Sequence, residues 1–99
     1  MTKFTIEQHA SKILVIGELT RHTINKNNQH SMKAYLNGKD IVIDLSAVSK
    51  VDTAGLAWLL AIVEQSKKQA GKLCFSHLSG DLVKLAKLSG VDRFIPTHY

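Results

Sequence analysis

Between Asp52 and Gly71 the chain spells out one amphipathic helix with both ends marked, and that helix stands between two short apolar runs. The runs are Asp40-Ile41-Val42-Ile43-Asp44-Leu45 and Leu73-Cys74-Phe75-Ser76-His77. Asp52 is placed as N-cap; Leu56, Leu59, Leu60 and Val63 share one face; Lys67 and Lys68 complement the C-terminal end; and Gly71 stops the helix. Strand, crossover helix and strand imply a mixed sheet with helices laid over a face. Ser46 to Val51 reads as the loop that joins the first strand to the helix.

The flanking segments extend this unit. Phe4, Ile6 and Gln8 alternate with Thr5 and Glu7, and Lys12 to Gly17 is a continuous apolar run, so the two predict an antiparallel hairpin turning at His9-Ala10-Ser11. From Thr20 to Asn37 the chain is polar, with a helical stripe of Met32, Tyr35 and Leu36 closed by Asn37-Gly38. After the second apolar run, Ser79 or Asp81 caps a further helix whose apolar face is Leu82, Leu85, Ala86 and Leu88, ending at Gly90. Arg93-Phe94-Ile95 is expected to add an edge strand. The expectation is one α/β domain over residues 1–99: a mixed four- to five-stranded sheet opened by a β-hairpin, with about three helices mainly on one face.

Ninety-nine residues leave room for a single core, and 44% apolar with 21% charged residues is globular composition. The most apolar stretch, Ala54 to Val63, is well short of the roughly 20 residues of a membrane helix, and the start shows no leader. Cys74 stands alone, so the expected setting is cytoplasmic, with no direct membrane insertion. Thirteen Lys and Arg against eight Asp and Glu give a formal charge of +5, which suits anionic partners. That charge is dispersed, with Lys67-Lys68 its longest run and no aromatic platform, so nucleic acid is not expected as a partner.

No phosphate-binding glycine loop, nucleophile elbow or Cys-x-x-Cys pair occurs, and the expectation is no enzyme and no cofactor. His9, His22, His30, His77 and His98 fall in separate elements without ligand spacing. Asp44 and Asp52 flank the loop after the first strand, where a carboxylate pair could take Mg²⁺ or do acid-base work; an N-cap role for Asp52 and loop-amide bonding by Asp44 account for both, so no metal is assigned.

Thr53 is the residue to single out. It sits in the first turn of the long helix, beyond the C-terminal end of a strand, where sites gather in open α/β sheets. A phosphoryl group there would meet the outward amides of the helix start yet repel Asp52. On spacing alone, Thr53 also reads as a plain helix-start residue. Gly55 inside the helix costs about 1 kcal/mol relative to alanine, a cost that close approach of another backbone explains. Trp58 reads equally as core or as contact.

The segment Ile43-Asp44-Leu45-Ser46-Ala47-Val48-Ser49-Lys50-Val51-Asp52-Thr53-Ala54-Gly55-Leu56 resembles the signature of STAS domains: an apolar strand, Asp-Leu-Ser, a short loop, Val-Asp-Ser/Thr-x-Gly-Leu and an apolar helix. Length and element order match that family over the whole chain. Within it, Asp44 to Ala57 and Leu85-Ala86-Lys87-Leu88 are similar to the small stand-alone subunits of Mla-type phospholipid-transport ABC complexes in Gram-negative bacteria. The resemblance implies a non-catalytic cytoplasmic subunit, peripheral to the inner membrane, that binds the ABC ATPase (the F subunit) and supports transport maintaining outer-membrane lipid asymmetry. It implies partner contacts at Asp52, Thr53, Gly55, Leu56 and Trp58. The other branch of the family, the anti-sigma factor antagonists, implies a switch phosphorylated at Thr53; Ala54 departs from the Asp-Ser-Ser-Gly form common there.

Overall fold

The computed structural model describes residues 4–9, 11–24, 36, 40–69 and 71–97. Four strands lie side by side in chain order: β1 (Phe4–His9), β2 (Lys12–Leu19), β3 (Ile41–Val51) and β4 (Leu73–Ser76). β1 and β2 form the expected antiparallel hairpin, with His9 opposite Lys12 and Phe4 opposite Gly17. β2, β3 and β4 run parallel, so each later strand is reached by a crossover. Helix α1 (Thr53–Lys68) carries the chain from β3 to β4, and α2 (Gly80–Leu88) follows β4.

Alternation along the strands decides where the core lies. Ile13 and Val15 of β2 are fully buried, while Leu14 between them and Ile16 after them are half-buried. Ile41, Ile43 and Leu45 continue the buried face across β3, and Phe75 continues it onto β4. α1 packs over β2 and β3 and against α2, closing this face with Leu56, Leu59, Ile62 and Val63. Trp58 widens the stripe beyond a strict helical seam and is fully buried. Ser79, not Asp81, caps α2: its hydroxyl accepts the Leu82 amide at 3.1 Å.

Two expectations are corrected. The segment Ser46–Val51 is the second half of β3 rather than a loop, because β2 runs on to Leu19 and pairs with it, Ile16 to Ala47 and Leu19 to Val51. Between Leu14 and Leu19 the register shifts twice, and the surplus residues of β3 are taken up in these bulges. The edge strand at Arg93-Phe94-Ile95 is instead a 3-10 turn at Asp92–Phe94, followed by one isolated bridge from Thr97 to Phe75. Among the described residues the sheet has four strands, the lower end of the expected four to five, with two helices placed in full. The helix expected between Thr20 and Asn37 falls largely outside the described residues; Leu36, which is described, is buried in the core.

Candidate functional site

The start of α1 is fastened at one point of β2, the Leu19 carbonyl. It accepts the Asp52 amide at 3.1 Å, and Gly55 presses against it so closely that a Cβ there would overlap the oxygen and lie 2.7 Å from the carbonyl carbon. Only glycine lets the helix meet the strand at that distance. Asp52 completes the junction. Its Oδ1 accepts the Gly55 amide at 3.0 Å, an N-cap bond, and its Oδ2 accepts the Arg21 amide at 3.0 Å. One carboxylate thus ties the helix start to the chain that leaves β2.

That chain is itself held. The Thr23 hydroxyl donates to the Glu18 carbonyl at 2.6 Å and accepts the Thr20 amide at 3.1 Å, and the Ile24 amide donates to the Thr20 carbonyl at 2.9 Å. Between this turn and α1 lies an open depression of about 380 Å³, lined by Thr20, Arg21, His22, Lys50, Asp52, Thr53 and Ala54. Burial of the Asp52 carboxylate raises its pKa, but the Arg21, Gly55 and Ala54 amides and the Arg21 guanidinium outweigh that and hold it below the ordinary range. The surface around Thr53 is therefore a fixed carboxylate rimmed by Arg21 and Lys50, with Thr53 itself exposed.

The residues singled out in the sequence fall into two groups. Asp52 and Thr53 reach the surface; Gly55, Leu56 and Trp58 do not, at 4% exposure for Leu56 and 1% for Trp58. Their side chains are spent on the core, and they act on the surface only by fixing where Thr53 stands. Asp44 lies in the first half of β3 and Asp52 just past its end, eight residues on along a strand rising about 3.3 Å per residue, so they share no site.

Asp44 belongs to a second cluster that spacing in the chain does not reveal. It is buried at 5% exposure, takes the Lys12 ammonium at 3.1 Å and the Ser46 amide at 2.8 Å, and lies 3.2 Å from Nδ1 of His77. Only the strand register, which sets Asp44 beside Leu14 and Ser76, brings these groups together. Burial pushes the Asp44 pKa up, yet the Ser46 amide and hydroxyl and the Lys12 ammonium prevail and lower it to about 2. A depressed carboxyl stabilises the fold above its unfolded value near 4, and that contribution is lost as pH falls through the folded value. We expect Asp44 to account for about 2 kcal/mol of the stability lost between pH 5 and pH 2. Urea midpoints measured across that range should therefore fall less steeply in Asp44→Asn, and parallel profiles would contradict the assignment.

A family model described as the STAS domain matches residues 3–99. The intermembrane phospholipid transport system binding protein MlaB of Escherichia coli (strain K12) is 46% identical over 46 residues, 46% of this chain and 47% of that protein. The chain thus spans about half the length of the curated relatives it matches. Among solved structures, the anti-sigma factor antagonist SpoIIAA in its unphosphorylated form superposes with a TM-score of 0.70 at 16% identity, over 98% of this chain and 89% of that one. A STAS domain protein from Planctomyces limnophilus gives 0.70 at 15% identity, over 95% and 87%. At such identities the structural likeness speaks for the fold.

Proposed function

Since the chain belongs to the STAS domain family, we propose that it is a non-catalytic binding subunit of a phospholipid-transport complex of the Mla type. In this reading it docks on the complex's ABC ATPase, the F subunit, and stays on the cytoplasmic side of the inner membrane through that contact. The observation that carries the reading is Thr53: an exposed hydroxyl on a helix start that Asp52, Gly55 and Leu19 hold in one position. A side chain so placed enters an interface without first being ordered, which reduces the cost of binding. The similarity to MlaB supports the choice of complex.

Thr53→Glu tests it. A carboxylate in the first turn favours the helix, so the variant folds, while the new charge must be desolvated in the interface beside Asp52. We expect its affinity for the ATPase subunit to fall at least about tenfold with an unchanged thermal midpoint. Equal binding by wild type and variant in titration calorimetry would remove Thr53 from the interface. A second reading, an anti-sigma factor antagonist switched by phosphorylation of Thr53, draws on the fold shared with SpoIIAA. Its distinguishing result is a mass gain of one phosphate on Thr53 in the presence of a cognate kinase.

A further inference from the structure

A cavity of about 570 Å³ opens at the C-terminal end of β4, between α2 and the segment after the 3-10 turn, and it shares no lining residue with the depression at Thr53. Its apolar wall is Leu78, Val83 and Ile95. Lys87 and Asp92 line it with opposite charges, and among the described residues neither is paired with an opposite charge. His77 stands on the same wall with φ at 59°, a left-handed backbone that non-glycine residues adopt at a cost.

What holds His77 there is polar and buried. Its Nδ1 lies 3.2 Å from the Asp44 carboxylate and 3.2 Å from the Ser76 hydroxyl, and both partners are buried, at 5% and 6% exposure. A carboxylate only accepts, so Nδ1 faces Asp44 as a donor, and in that tautomer Nε2 is an acceptor. The cavity therefore offers a donor in Lys87, acceptors in His77 and Asp92, and an apolar wall beside them. Its volume is that of a small-molecule site, and its place outside the carboxyl end of a parallel strand is where such sites form.

We propose that this cavity binds a small zwitterion with an apolar body, of the size of a dipeptide: its carboxylate on Lys87, its ammonium on Asp92 and His77, and its side chains on Leu78, Val83 and Ile95. A protein terminus or an organic acid carries only one of the two charges and meets the other as an unpaired group, which is unfavourable.

The test uses the full chain and leucyl-phenylalanine followed by NMR titration, with the N-acetylated and C-amidated forms as controls. Saturable shifts should centre on residues 76–97, and each blocked form should bind about tenfold more weakly. Lys87→Ala should weaken the dipeptide about tenfold without changing the weak binding of the amidated form; Asp92→Asn should do the same for the dipeptide and spare the acetylated form. His77→Gly removes the ring that faces the cavity, so it should bind the dipeptide less, and the gain from relieving the left-handed backbone is set against the lost contacts to Asp44 and Ser76. No saturable shift, or equal binding of the free and blocked forms, would overturn the proposal. Retained binding of the Thr53→Glu variant, whatever its effect on the ATPase, separates this site from the docking surface.

Discussion

Gly55→Ala is expected to destabilise the protein by about 3 kcal/mol, on the order of 15 °C in the thermal midpoint for a domain of this size. Helix propensity points the other way, since alanine exceeds glycine by about 1 kcal/mol inside a helix. The sign is decided by what the methyl group meets. It would overlap the Leu19 carbonyl oxygen and lie 2.7 Å from its carbon and 2.9 Å from the Leu19 Cβ, all of them parts of a fully buried residue in the sheet. No flexible side-chain end is there to give way, so α1 must retreat, stretching the Asp52 amide bond to the same carbonyl and the cap with it. Gly80→Ala is the control: a Cβ there meets nothing within 4 Å, and the variant should be neutral or slightly more stable. If both variants melt like wild type, the close approach of α1 to β2 is wrong. Because Thr53 rides on the same turn, Gly55→Ala should also weaken the proposed docking on an ATPase subunit, whereas Gly80→Ala should not.

Trp58→Ala is expected to cost about 3–5 kcal/mol, a large share of the stability of a domain of this size. The indole is 1% exposed within the cluster that α1 shares with β2 and β3, and truncating it opens a cavity that the surrounding strands cannot close. Circular dichroism should show a large fall in midpoint, and Trp58→Phe should recover most of it. Trp58 is the chain's single tryptophan, so its emission in wild type reports the same core: blue-shifted when folded, shifting red on denaturation. A Trp58→Ala variant that melted like wild type but lost its partner would return the residue to the interface.

How much of this was legible beforehand follows from the range of each signal. α1 was readable because cap, face and stop all lie within the helix itself, and the hairpin because its two strands are neighbours. The close backbone approach at Gly55 was also foreseen, from the cost of glycine in a helix. The second half of β3 was not, since Ser46, Ser49 and Lys50 suit a loop by composition and become a strand only because Ile16 to Leu19 offer a partner across two bulges. At the candidate site, motif and spacing single out Asp52 and Thr53, and the structure places both at the surface. The Arg21 amide on Asp52 and the grouping of Lys12, Asp44, Ser76 and His77 were missed, because they depend on register between segments far apart in the chain. Trp58 shows the limit on a single residue: helical spacing places it beside a stripe, and only the neighbouring sheet tells whether the stripe is that wide.

The short segment beyond the 3-10 turn guards the molecule against its own kind. At β4 the sheet ends on a parallel strand whose outward amides would otherwise be an open template for a strand from another molecule. The Phe75 amide is instead taken by the Pro96 carbonyl at 2.8 Å, with Thr97 bridging beside it. Proline accepts but has no amide to donate, and a single bridge is too short to be extended, so the segment covers the margin without becoming a new one. At Phe75, a strand from another copy would find the outward amide of β4 already taken.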